Sequence, residues 1–168
     1  MNNLILIGMP GAGKSTLGVQ LAKQLGFEFV DTDLLIQMSE NKLLQDILEE
    51  TDYLNLRSIE ERLLLGLDVQ SHVIAPGGSA VYSEAGMAAL KSLGPVVFLD
   101  VKMQDLVNRI GDYSKRGIAS DQSQRFADIY MERLPLYRKY ADISIDCSGK
   151  SQSEILEELM QALVDEEI

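Results

Sequence analysis

Apolar positions fall into two rhythms that alternate along the chain. Residues 3–7, Phe27 to Asp31, His72 to Ala75, Val96 to Leu99 and Ile143 to Ile145 are short, mainly apolar runs, and each predicts a strand. Between them the apolar residues recur at helical spacing. Leu17, Leu21 and Leu25 mark a helix from Ser15 that Gly26 stops. Further helical patterns run through Leu34–Met38, Leu43–Glu50 and Leu54–Asp68. Ser83 is placed to cap a helix to about Leu93, another ends near Ile110, and a long one covers 125–140. Ser151 and Glu154 stand in capping-box spacing before a last helix with Ile155, Leu156, Leu159 and Leu163 on one face. Apolar strands alternating with helices predict an α/β fold, a parallel sheet covered on both sides. The stretch 111–124 is polar, carries two glycines and follows neither rhythm, which predicts a mobile loop. No repeat or linker divides residues 1–168, so one domain is expected.

Composition narrows the choice of partner. Fifteen Lys+Arg against 26 Asp+Glu give a net charge of −11, which disfavours nucleic acid and anionic membrane surfaces. No apolar run approaches the ~18–20 residues of a membrane span, and the start lacks a signal-peptide pattern. A cytoplasmic monomer is expected. Cys147 is the one cysteine, which excludes an intramolecular disulfide or a thiolate metal cluster. An anionic ligand would need the scarce cations gathered where it sits.

The chemistry begins at Gly8-Met9-Pro10-Gly11-Ala12-Gly13-Lys14-Ser15, which fits G-x-x-x-x-G-K-[ST] in full, with Thr16 following. Glycines let the backbone curl so that successive N–H groups point at phosphate oxygens, and the helix that follows adds its positive end. Lys14 would reach the outer phosphates and the Ser15 hydroxyl can ligate Mg²⁺. The loop lies between a first strand and a first helix, as the motif requires, so a nucleoside triphosphate is expected. A GTPase switch is disfavoured: Asn41-Lys42-Leu43-Leu44 lacks the guanine-reading aspartate, and Asp146-Cys147-Ser148-Gly149 comes after the last strand.

Asp31 and Asp33 close the second strand two residues apart, so both carboxylates would face one crevice, one for Mg²⁺ and one as base or orienting group for a hydroxyl. Arg133 falls on the apolar stripe of Phe126, Ile129, Tyr130 and Tyr137, and a guanidinium facing inward needs an anionic partner. Arg57 flanks the stripe Leu56, Ile59, Leu63 and Leu67, where it reaches either a cleft or a surface pair with Glu60 or Glu61. Arg116, beside Lys115 in the 111–124 loop, suits a lid that closes over a transferring phosphate. Arg109, just before it, is placed either to pack on an adenine face or to end a helix in solvent. His72 reads as a structural residue at a strand start.

Together these residues resemble the shikimate kinase family, small P-loop kinases related to the nucleoside monophosphate kinases. The resemblance covers the Gly8–Thr16 loop, Asp31-Thr32-Asp33, Leu56-Arg57, Ala75-Pro76-Gly77-Gly78, Lys115-Arg116, Glu132-Arg133-Leu134-Pro135-Leu136-Tyr137 and Ala141-Asp142. It implies a P-loop NTPase fold, a three-layer sandwich around a five-stranded parallel sheet, with a substrate-binding helical region (about 33–62) and a lid (about 111–124). It implies ATP as phosphoryl donor, bound by Gly11, Ala12, Gly13, Lys14, Ser15, Thr16, Arg109 and Arg116, with Mg²⁺ served by Ser15 and Asp31. The acceptor would be a small hydroxy acid, shikimate first and gluconate as the alternative; a nucleotide-binding regulator with degenerate activity is the other reading. Asp33 would bind the acceptor hydroxyls and act as base, with Lys14 and Arg116 assisting transfer. Arg57 and Arg133 would grip the acceptor carboxylate and the Gly77–Gly78 backbone would close the pocket. Two stretches depart from the family pattern: Pro76 and Ser79 stand where threonine and a third glycine are usual, and Gly117 stands where the lid arginine is usually followed by proline. A Cβ at Ser79 would crowd or reshape the wall beside the acceptor.

Overall fold

The computed structural model of the chain describes residues 3–110, 118–121 and 123–165. Five strands form one parallel sheet: β1 (Asn3–Ile7), β2 (Glu28–Asp31), β3 (His72–Ala75), β4 (Val96–Asp100) and β5 (Ile143–Asp146), in spatial order β2-β3-β1-β4-β5. Every residue of β1 is buried, whereas the edge strand β5 alternates buried and exposed positions. The continuous apolar runs are therefore the strands covered on both faces.

The helices are α1 (Lys14–Leu25), α2 (Thr32–Glu40), α3 (Leu44–Glu50), α4 (Tyr53–Leu65), α5 (Glu84–Leu93), α6 (Met103–Ile110), α7 (Phe126–Tyr140) and α8 (Gln152–Asp165). Helices α1 and α8 pack on each other and on the sheet, α5 packs on β1 and α4, and α7 packs on β4. The main core runs from the sheet into these helices, while Ile36, Ile47, Leu56, Ile59 and Ala119 form a smaller apolar cluster among α2, α3 and α4. Among the described residues no helix is long and apolar enough to cross a membrane.

The predicted caps are present. Ser83 Oγ accepts from Gly86 N at 2.8 Å, and Ser151 Oγ and Glu154 Oε2 complete the capping box at α8. Asp142 accepts the Val96 N–H at 2.9 Å and pairs with Lys91, tying the start of β4 to the α7–β5 junction. Two local readings need correction. The second strand ends at Asp31, and Thr32 already opens α2, because the Asp31 carboxylate caps that helix by accepting from Asp33 N at 3.0 Å. A single turn of 3-10 helix at Ala80–Tyr82, which no apolar rhythm marks, follows β3.

The topology sets the site. Strands β2, β3 and β1 are neighbours, and Asp31 pairs in register with Ala75. The P-loop after β1, the Asp31–Asp33 segment after β2 and the Gly77–Ser79 turn after β3 thus emerge side by side at the carboxyl ends of the strands, where open α/β sheets hold ligands.

Candidate active site

These three segments line a cavity of about 710 Å³. Its nucleotide end is made by the P-loop. Gly11 and Gly13 have φ of 82° and 99°, a left-handed backbone that L side chains rarely adopt, and the curl they permit turns the loop inward. Ala12, Ser15 and Thr16 line the cavity with them, and so do Arg109 from the end of α6 and Cys147 and Lys150 from the β5–α8 turn. Burial raises the Cys147 thiol to about 12, which leaves it a neutral wall residue. Lys14 Nζ donates to the carbonyls of Gly8 (2.8 Å) and Met9 (3.2 Å), folded over its own loop. Burial lowers its pKa against the pull of Asp33 and Asp31, so an anionic phosphate is the partner that would hold its charge.

Ser15 Oγ donates to Asp31 Oδ2 at 2.7 Å, so one hydroxyl and one carboxylate stand together at the N-terminus of α1. Hard oxygen donors, few in number and beside a phosphate loop, are the set that suits Mg²⁺, which keeps most of its ligands as water and phosphate. No cluster of three or more His, Cys, Asp or Glu side chains stands among the described residues to favour a protein-caged metal.

The other end faces Asp33. Burial above all, then the neighbouring Asp31 charge, raises the Asp33 carboxyl to about 6, against the opposing pull of Lys14 and Arg133. Asp31 and Asp33 do share the crevice, but through a helix cap and its first turn, not through strand alternation. The Gly77 N–H donates to Thr32 Oγ1 at 3.2 Å, and Tyr137 OH donates to Gly78 O at 2.6 Å, which fixes the glycine turn from both sides. A Cβ on Gly77 would lie 2.3 Å from Glu60 Oε1 and 2.7 Å from Asp33 Oδ1, so any larger residue there would have to displace both carboxyls. Gly78 is held as closely: its Cβ would meet Arg133 Nη1 at 2.9 Å.

Arg133 is 1% exposed, lines the cavity, and carries a buried Nε with no hydrogen-bond partner. Its Nη2 donates to the Ala119 carbonyl at 3.0 Å. Arg57 donates to that same carbonyl from Nε (3.3 Å) and Nη2 (3.0 Å). Its guanidinium is stacked 3.6 Å from the Tyr82 ring centroid. The two arginines therefore converge on one oxygen, and of the two Arg133 lines the cavity while Arg57 does not. The surface pairing considered for Arg57 does not form: Glu60 is buried on Ser79, and Glu61 accepts from Ser83. Arg116, Lys115 and Gly117 lie outside the described residues.

Sequence reasoning missed Glu60, Thr32 and the tyrosines as site residues. Glu60 could have been found by the test applied to Arg133, since it falls four residues after Leu56 on the buried face of α4. His72 sits at the opposite end of β3, its Nδ1 2.7 Å from Gln70 O.

Residues 10–164 match the model of the shikimate kinase family. The chain belongs to the shikimate kinase family. It is 30% identical over 167 residues to a shikimate kinase of Caldanaerobacter subterraneus subsp. tengcongensis, covering 98% of this chain and 97% of that one. It is 32% identical over 161 residues to that of Persephonella marina, covering 95% and 98%. Among solved structures, shikimate kinase from Acinetobacter baumannii in complex with shikimate superposes with a TM-score of 0.89 at 26% identity, covering 100% of this chain and 96% of that one. Family members of this kind place the fold and the phosphotransferase class beyond the P-loop alone.

Proposed function

We propose that this chain transfers the γ-phosphoryl group of ATP to a hydroxyl of shikimate, giving shikimate 3-phosphate. The observation that carries the acceptor half is Arg133: a buried guanidinium with an unpaired Nε, in the wall of the cavity that also holds Asp33 and the P-loop. A buried charge of this kind calls for an anion, and the carboxylate of a small acid is the fitting size. Arg57, drawn to the same carbonyl oxygen, adds a second fork to that end.

Transfer of a phosphoryl group asks mainly for positioning and charge neutralisation. The P-loop backbone and Lys14 would hold the β- and γ-phosphates, with Lys14 leaving the Gly8 and Met9 carbonyls to do so. Arg109 would pack at the adenine end, and Arg116 would supply a lid cation. Asp33 would accept the proton of the attacking hydroxyl, a role suited to a carboxyl raised toward neutrality. Ser15 and Asp31 would hold Mg²⁺, which when bound neutralises phosphate charge. Helices α2 to α4, about residues 33–62, would form the acceptor wall, and the loop at about 111–124 the lid.

The test is ADP release in the presence of Mg²⁺ and a panel of hydroxy acids. Turnover with shikimate is expected. Turnover with gluconate in its place would move the acceptor assignment, and nucleotide binding with no stimulated release by any acid would leave a regulator.

A further inference from the structure

Arg57 carries its charge without a counter-ion. It stands half-buried on α4, and among the described residues no carboxylate lies within ion-pair distance of it. The nearby acids are engaged elsewhere: Glu60 accepts from Ser79, Glu61 from Ser83, and Glu132 from the Tyr82 hydroxyl and from Gln124. Two tyrosines take the place of a carboxylate. The guanidinium carbon lies 3.6 Å from the ring centroid of Tyr82 and 4.9 Å from that of Tyr53, both within cation–π range. Tyr53 opens α4 four residues before Arg57, so the two share a helix face. Tyr82 arrives from the 3-10 turn after β3, and its hydroxyl anchors the ring on Glu132.

The choice of partner matters for what Arg57 can still do. A carboxylate would neutralise the guanidinium and occupy its in-plane N–H groups. A ring face does neither, because it attracts the cation through its quadrupole and leaves the N–H edge to oxygen acceptors. The Ala119 carbonyl shows that edge in use at Nε and Nη2, and being neutral it leaves the charge uncompensated. A carboxylate is the stronger acceptor for the same edge. We propose that Tyr82 and Tyr53 are positioning residues for acceptor recognition, holding Arg57 in place with its charge unneutralised so that the pocket favours a carboxylate over a neutral group. Neither tyrosine lines the cavity, so both act through Arg57. The inference rests on the acceptor reading given above and adds to it two residues and the physical basis of one selectivity.

The experiment compares shikimate with its neutral carboxamide in the wild type and in variants. In the wild type the carboxamide should have a KM at least about tenfold higher, the scale of hydrogen bonds to a charged group. Tyr82→Leu removes the ring and should raise the KM for the acid about five- to tenfold, the scale of a partly desolvated cation–π contact. It should leave the KM for the carboxamide unchanged, and kcat and the KM for ATP within about twofold, the pattern of lost binding without lost chemistry. Tyr82→Phe keeps the ring and should hold the KM for the acid within about threefold of wild type. Tyr53→Leu, at a half-exposed site where folding is less at stake, should raise the KM for the acid alone about two- to threefold. Combined with Arg57→Ala, Tyr82→Leu should add no further rise. An unchanged KM for the acid in both leucine variants overturns the proposal. So does an equal rise for acid and carboxamide, or a full further rise in the Arg57→Ala background. A wild type that takes the carboxamide as well as the acid defeats the underlying carboxylate reading, whereas leucine variants that discriminate as the wild type does defeat only this inference.

Discussion

At the scale of single residues the acceptor end is governed by burial of charge. Asp33 and Glu60 are carboxyls raised to about 6 and about 7, in each case mainly because the charged form loses its water. Asp33→Asn removes the proton acceptor but keeps the size and a hydrogen-bonding oxygen. Transfer should fall by at least ~10²-fold, the usual scale of general-base loss, with ATP affinity within about twofold of wild type; steady-state assays and nucleotide titration check the two halves. Glu60 gives a stability prediction. Its folded-state pKa lies above the ordinary carboxyl value near 4.5, so the stability linked to its proton is present below that value. That stability is lost as the pH climbs toward 7. Relative to Glu60→Gln, which does not titrate, the wild type should lose roughly 3 kcal/mol between pH 4.5 and 8. Denaturant unfolding of the pair at both pH values measures this, and an equal gap at the two values would show that folding does not shift the Glu60 pKa.

At the scale of elements, one side chain often serves both fold and site. Asp31 caps α2 and holds the Ser15 hydroxyl, and a substitution can part these duties. Asparagine caps as well as aspartate but is a poorer Mg²⁺ ligand. Asp31→Asn should therefore unfold at nearly the wild-type denaturant midpoint yet need several-fold more Mg²⁺ for half-maximal rate. Asp31→Ala should lose about 1 kcal/mol of stability as well. If the Asn variant keeps the wild-type Mg²⁺ dependence, Asp31 is a cap alone. This doubling also explains what was legible from sequence. The buried strands, the P-loop and the serine caps were readable because each depends on local rhythm or a contiguous motif. The turn into α2 was not, since period-two alternation through Asp31-Thr32-Asp33 and a capped helix start look alike until the carboxylate finds its N–H. Arg133 stood out because a cation on an apolar stripe violates the pattern. Glu60 broke the same pattern but was masked by nearby Arg57, which offered a plausible surface pair. Arg57's stacking on Tyr82 was not legible either, because Tyr82 stands on a 3-10 turn with no sequence rhythm of its own.

For the molecule as a whole the tension is between a net charge of −11 and ligands that are themselves anions. The attraction is local: Lys14 and Arg133 sit in the cavity wall. The repulsion is spread over an acidic exterior, with Asp and Glu exposed on most helices. Mobile salt treats the two differently, because it screens charges separated through water beyond ~10 Å at 0.1 M far more than it screens contacts inside a cleft. An approaching nucleotide feels the exterior first and the cleft only on arrival. Raising ionic strength from ~0.01 to ~0.15 M should therefore leave the association rate of a fluorescent ATP analogue unchanged or make it faster, with the change in affinity carried by the dissociation rate. Stopped-flow binding at a series of salt concentrations measures both rates. An association rate that falls steeply with salt would mean that the cleft's cations project their field well beyond the cavity mouth, and that the acidic exterior does not govern the encounter.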